Sequence, residues 1–328
     1  MHSRTYHSKL KIIPTDQWQA WRKNIADAGG TLAVVTGSFA IWHPGNLAAI
    51  QEAARHASHV CVIITPAIPT APGTDPDMAI PSAALRAEMA TYLRVVSLAT
   101  ACPPGKAKEV FARLRPYTLV ECTAQKIPGT VATVARNLAG RVVDLSPIAG
   151  CFTADIQKAI QYGRTPVSVP DAVMAPQPTR HDLDRFLDTS PGRPLVTVNG
   201  CFDVLHLGHV QLLAQASNLG ARLLVLVNDD DSVRTYKGAG RPIFPIRFRL
   251  HALNALDAVA MAYPFAGDNP LPLLATIRPD IHVKGGSFEE TRVREEKHLV
   301  ESWGGRLEII PLVEGFSTSN VVSRMAGR

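Results

Sequence analysis

Apolar residues follow two rhythms along this chain. Short β-branched and aliphatic runs, such as "PLVTV" before Asn199 and "ARLLVLVN" ending at Asn228, are bounded by Gly, Asn or Asp. Between them lie longer stretches, such as "HVQLLAQASNLG" and "REEKHLVESWGG", whose apolar positions recur every three or four residues. The first rhythm suits strands buried on both faces, the second amphipathic helices. From residue 194 the order is strand, Gly turn, helix and strand. Then come helix "RFRLHALNAL", strand "AVAMAYPF", helix "PLPLLATI", strand "DIHVKGG", a helix closed by Gly304, strand "RLEIIPL" and a last helix capped by Ser317 or Thr318. A helix, "DLDRFLDT", precedes the first strand. Strands alternating with helices predict an α/β fold with a parallel sheet covered on both faces. Ligands in such sheets bind at the carboxyl ends of the strands, where the topology switches.

The same order occurs twice. Gly37 and Gly200 stand 163 residues apart, and the same offset relates Phe39 to Phe202, His43 to His206, Gly45 to Gly208, Arg86 to Arg249 and Arg115-Pro116 to Arg278-Pro279. After a two-residue insertion, "GRVVDLSPIAGCFTADIQKAI" falls on "GRLEIIPLVEGFSTSNVVSRM". The chain reads as two copies of one unit. Residues 1–163 form the first, 164–189 a proline-rich linker with a leading helix, and 190–328 the second.

Each copy has a distinctive turn after its first strand, "TGSFAIWHPGN" from Thr36 and "NGCFDVLHLGH" from Asn199. A strand-to-helix turn offers backbone N–H groups and the positive end of a helix dipole, which suits phosphate. Neither a GxxxxGK[ST] loop nor a GxGxxG dinucleotide pattern is present. His206 and His209, three residues apart on the first helical turn, can aim both rings at one anion. Two imidazoles there suit a polyphosphate that gains charge on a bridging oxygen as a P–O bond breaks. Zinc is disfavoured because no third and fourth ligand of suitable type lies nearby.

"GCFDVLHLGH" resembles the HxGH signature of the cytidylyltransferase-like nucleotidyltransferases. The likeness continues through "VNDDDSVRTYKGAGRPIFP", "IRPDIHVKGG" and "GGRLEIIPLVEGFSTSNVV", and is greatest to the adenylyltransferase domain of bacterial heptose 1-phosphate adenylyltransferases. It implies two tandem Rossmann-like, HUP-type domains. It also implies that His206 and His209 hold the nucleotide phosphates and that Lys237 reaches them from a mobile loop. Arg249 would be a further phosphate-side cation, with Arg247 as the alternative, and Ser317 and Thr318 would donate to the triphosphate. Asn199, Gly200, Phe202, Asp203 and Gly208 would shape the turn, with Asp203 orienting a histidine. Lys284 and Gly285 would close a strand end beside the site, Lys284 meeting phosphate or standing in a salt bridge. The reaction would transfer AMP from ATP to a sugar 1-phosphate, with Mg²⁺ carried by the triphosphate and no protein metal cage. Asp229, Asp230 and Asp231 read as a solvated loop rather than as metal ligands. Leu312 stands where the glycerol phosphate and ethanolamine phosphate enzymes carry an Arg, which favours the heptose branch. The tandem layout is familiar instead from ethanolamine-phosphate cytidylyltransferase. A CTP enzyme acting on glycerol 3-phosphate or phosphoethanolamine, and a non-catalytic nucleotide-binding regulator, are the competing readings.

The first copy departs at the functional positions: Asp203 becomes Ala40, His209 becomes Asn46, Lys284 becomes Glu121, Gly285 becomes Cys122 and Ser317 becomes Phe152. It reads as a degenerate, non-catalytic copy that packs on the other or makes a homodimer contact. Composition narrows the setting. A net charge of +6 without a Lys/Arg run suits small anionic substrates better than nucleic acid. No apolar run is long enough for a membrane span, no secretory signal is visible, and five scattered cysteines suit a reducing cytoplasm.

Overall fold

A computed structural model describes residues 11–65, 81–103, 105–122, 129–148, 150–163, 165–189, 194–267, 269–286, 290–311 and 322. The chain divides into two compact units, residues 7–155 and, from 156 onward, the second unit. The first contains α1 (Trp18–Asp27), β1 (Leu32–Gly37), α2 (Pro44–His56), β2 (His59–Ile64), α3 (Ala83–Thr91), β3 (Val96–Ala101), α4 (Ala107–Leu114), β4 (Thr118–Cys122), α5 (Gly129–Leu138) and β5 (Arg141–Leu145); α6 (Thr153–Gln161) runs across the division. The second contains α7 (Arg180–Asp188), β6 (Leu195–Gly200), α8 (Leu207–Ser217), β7 (Arg222–Asn228), α9 (Asp230–Lys237), α10 (Ile246–Asn254), β8 (Met261–Phe265), α11 (Leu271–Ile277), β9 (Ile281–Gly285), α12 (Glu290–Glu301) and β10 (Arg306–Ile310).

The sheets run β3-β2-β1-β4-β5 and β8-β7-β6-β9-β10, and every pairing is parallel. Counted from each unit's own first strand, both have the order 3-2-1-4-5. Register repeats too: Ala33 pairs with Thr118 in one sheet, and Val196 with Ile281 in the other. The central strands are apolar on both faces because helices cover both. Val34, Val62, Val196 and Leu224 are all fully buried. The order reverses between β6 and β9, which opens a crevice at their carboxyl ends.

Two backbone features belong to the repeat itself. The described non-glycine residues with left-handed backbone are Phe39 (φ 49°), Arg115 (42°), Phe202 (46°) and Arg278 (48°), two equivalent pairs. Each costs on the order of 1–3 kcal/mol, so each is held by its surroundings. Equivalent arginines tie each turn down. Arg249 donates through Nε to the Phe244 carbonyl (3.1 Å) and through Nη1 to the Cys201 (2.6 Å) and Asn228 (2.8 Å) carbonyls. Arg86 donates to the carbonyls of Pro81, Ser38 and Thr65, the same three positions of the first unit.

Two stretches differ from the sequence reading. Residues 230–237, read as loop, form α9. The Asp229 side chain caps it by accepting from Ser232 N (2.8 Å), Val233 is buried beneath it, and Gly238 (φ 92°) ends it. The proline-rich stretch read as a linker is laid along residues 240–251 of the second unit. Val167 N donates to the Ile243 carbonyl (2.8 Å), Thr165 Oγ1 to the Gly240 carbonyl (2.9 Å) and Ala175 N to His251 Nδ1 (3.2 Å). Asp171 pairs with Arg247.

Candidate active site

The site lies where β6 ends and α8 begins. His206 is the N-cap of α8, with extended backbone (φ −137°, ψ 170°), and Gly208 and His209 lie in the first turn. The His206 and His209 rings stack with centroids 3.7 Å apart and planes 22° from parallel. Phe202 supports the pair, its ring 5.3 Å from that of His209. Gly200 leaves room for Phe202, since a Cβ there would sit 3.1 Å from that ring. The two histidines and Phe202 thus form one packed group above the end of the central strand.

Electrostatics keep both rings neutral before any ligand arrives. Burial, then the Lys237 charge, lowers His206 to about 4. His209 is pushed well below the ordinary imidazole range by burial, by His206 and by Lys237, although the Val204 carbonyl hydrogen-bonds its ring. The Nδ1 atoms of both rings have no hydrogen-bond partner among the described residues. A polyphosphate placed here would meet the N-terminus of α8 and two polar rings with unspent bonding capacity. Its negative charge would raise both imidazole pKa values, so proton affinity and anion binding are coupled. Lys237 contributes its charge from the exposed last residue of α9, a helix terminus rather than a loop.

Other expected site residues are placed differently. Arg249, expected to face phosphate, is 1% exposed; besides the three carbonyls it donates through Nη2 to Asp230 (2.6 Å). Its guanidinium is consumed by the turn it supports. Arg247 points at Asp171 instead. Asp203, expected to orient a histidine, pairs with Arg241 (2.6 Å) and accepts from Ile243 N (2.7 Å) and Phe244 N (3.1 Å). It therefore fastens the 241–244 segment to the turn. Arg241 escaped the sequence reading; the joint replacement of both partners in the first copy, by Ala40 and Met78, was the available signal. Lys284 reaches Asn199 Oδ1 (2.9 Å) and the Glu296 carboxylate (2.7 Å), so the salt-bridged alternative describes it. Gly285 is required by packing: a Cβ there would lie 2.4 Å from Leu212 Cδ2. Asp231 pairs with Arg234. Ser317, Thr318 and Leu312 lie outside the described residues.

The corresponding place in the first unit is closed. Asn46 uses Oδ1 to accept from His43 N (3.3 Å), and the Phe152 ring stands edge-on to His43 at 6.1 Å. Among the described residues these side chains, with Thr36 and Phe39, line a cavity of about 10 Å³, room for one water. Burial holds His43 down at about 3. Glu121, in place of Lys284, pairs with Arg136 at 2.7 Å.

Residues 197–324 match the cytidylyltransferase-like family. Over these residues the second unit is similar to cytidylyltransferase-like domains. The bifunctional protein HldE of Syntrophotalea carbinolica is 46% identical over 137 residues, 42% of this chain and 28% of that one. HldE of Halorhodospira halophila is 34% identical over 237 residues, 69% of this chain and 48% of that one. The chain thus spans half or less of the length of these relatives. Among solved structures, the lipopolysaccharide core biosynthesis protein of Thermoplasma volcanium is 28% identical over 36% of this chain and 95% of that one, with a TM-score of 0.31. The cytidylyltransferase-like match covers the residues that build the His206–His209 turn and the β6–β9 crevice.

Proposed function

We propose that the second unit transfers AMP from ATP to a sugar 1-phosphate, specifically a heptose 1-phosphate, and releases pyrophosphate. The observation that carries this is the stacked, neutral His206–His209 pair at the start of α8, above the strand-order reversal. The identity to HldE proteins over this domain and the motif resemblance favour ATP and the heptose acceptor. In this reading an oxygen of the acceptor phosphate attacks the α-phosphorus of ATP, and the bond from that phosphorus to the bridging oxygen breaks. The acceptor is already an anion, so positioning and charge neutralisation supply the catalysis. His206 donates to the phosphate chain as charge gathers on the leaving pyrophosphate; His209, whose one neutral N–H is held by the Val204 carbonyl, does so once the bound anion has raised its proton affinity, and Lys237 adds a cation from the end of α9. Mg²⁺ enters with the triphosphate and neutralises part of its charge. Arg249 and Asp203 serve the turn. The first unit is a non-catalytic copy, and the protein works on small molecules in the cytoplasm. Among the described residues no helix is long and apolar enough to cross a membrane.

The test is pyrophosphate release from ATP, CTP, GTP or UTP, each combined with heptose 1-phosphate, glycerol 3-phosphate or phosphoethanolamine. Release confined to ATP with heptose 1-phosphate is the expected result. A CTP-dependent signal with either other acceptor would replace this reading. Nucleotide binding without release in any combination would favour a regulator.

A further inference from the structure

Behind the crevice runs a chain of buried polar groups that the reaction as described does not use. Thr197 Oγ1 lies 2.8 Å from His282 Nδ1, and His282 Nε2 faces Glu296 Oε2 at 3.4 Å. Glu296 holds Lys284 Nζ through both oxygens, at 2.8 and 2.7 Å, and Lys284 donates onward to Asn199 Oδ1 at 2.9 Å. Thr197 and His282 are fully buried and Glu296 is 4% exposed. Burial raises the Glu296 carboxyl, but the neighbouring His282 ring and the Lys284 charge more than reverse this and hold it below the usual carboxylate range.

Folding does not require these groups. In the first unit the positions of Thr197, Asn199, His282 and Lys284 hold Val34, Thr36, Leu119 and Glu121, and the same strands pair in the same register. Val34 and Leu119, in place of Thr197 and His282, are fully buried apolar residues. Replacing a buried ionic cluster by apolar side chains is often neutral or stabilising. The Thr197–His282 part of the chain is thus kept at a desolvation cost in the unit that retains both histidines and lost in the unit that does not, whereas the Lys284–Glu296 pair has a counterpart of reversed sign there, Glu121 with Arg136. The equivalent arginines Arg86 and Arg249, by contrast, persist in both.

Its chemistry has a direction. A lysine ammonium only donates, so Asn199 must turn its carbonyl oxygen toward Lys284. Among the described residues nothing accepts from the Nδ2 donors of Asn199, at the carboxyl end of β6, which leaves them for a substrate oxygen. We propose that Glu296 is a positioning residue for the transferase reaction: it fixes Lys284, and through Lys284 the orientation of the Asn199 carboxamide, which presents N–H donors to a phosphate or hydroxyl oxygen of the bound substrate. This rests on the transferase reading above.

The test is a double-mutant cycle on the full chain. Glu296→Gln should lower kcat about tenfold with KM changed less than about twofold, the pattern of a misplaced transition-state contact. In a Lys284→Met background the same substitution should cost nothing further, because the group it positions is gone. Equal losses of kcat in both backgrounds, or a loss of thermal stability with kcat unchanged, would overturn the proposal. A second readout needs no turnover. The Asn199 side-chain amide resonance, assigned through Asn199→Asp, should shift in Glu296→Gln; an unmoved resonance would likewise overturn the coupling. Failure of the transferase reading shows separately, as silence of the wild-type protein with every substrate pair.

Discussion

The two units share strand order, register, a left-handed Phe in the turn and an arginine bonded to the same three carbonyls. They differ in what stands on that frame. The second unit places two stacked imidazoles over the end of its central strand; the first places His43 beside Asn46 and closes the space with Phe152. The shared features are what the fold needs, and the differing ones stand where the proposed phosphate chemistry would take place. This separation also bears on single residues: an arginine kept with the same three carbonyl acceptors in the unit that lacks the second histidine serves the turn, whatever its charge suggests.

The largest expected effect tests that division at the histidines. His206→Ala or His209→Ala should lower kcat for pyrophosphate release by about a thousandfold, the scale of losing a main stabiliser of transition-state charge. The midpoint of thermal unfolding should change little, since the turn is held by Arg249 and by Phe202. His43→Ala and Asn46→Ala should leave the rate within about twofold. A comparable loss in Asn46→Ala would mean that the first unit takes part in turnover.

The repeat and the histidine turn were legible because both are written in side-chain identity at fixed spacing. The roles of Arg249 and Asp203 were not, because their partners are mostly backbone groups. Carbonyls of Cys201, Asn228 and Phe244 leave no trace in residue type, so a buried arginine near a phosphate motif reads as a phosphate ligand. Helix α9 was obscured by Asp229, Asp230 and Asp231, which look like a solvated loop but act as a cap for the helix, a partner for Arg249 and a partner for Arg234. Glu296 was hidden in the charged run "REEKHLVESWGG", where only the packing of α12 shows that one of the adjacent glutamates is buried.

A smaller effect lies in the Asp203–Arg241 pair, 1% and 9% exposed at the side chains. Asp203→Ala, which installs the first unit's residue, strands a buried guanidinium and two backbone N–H donors. It should lower stability by about 3–5 kcal/mol in denaturant unfolding. The double variant Asp203→Ala/Arg241→Met, which copies the first unit at both positions, should recover at least half of that loss. If the double variant is as unstable as the single, the pair's joint absence from the first unit is not compensation.

The smallest effect concerns the contact between β9 and α8. A Cβ at Gly285 would lie 2.4 Å from Leu212 Cδ2 and 3.0 Å from Cδ1. The first unit has Cys122 at the strand position and Ala49 at the helix position, a larger residue at the one and a smaller at the other. Gly285→Cys alone should cost about 1–3 kcal/mol, the usual range for overpacking, because Leu212 sits in the interior of α8 and must leave its rotamer. Adding Leu212→Ala removes the obstructing branch and should restore most of the stability. The α8 backbone should stay in place, so the rate of the double variant should fall within about threefold of the wild type. A double variant that regains stability but stays slow would give Gly285 a further role at the substrate itself, beyond the packing that its Cβ contacts describe.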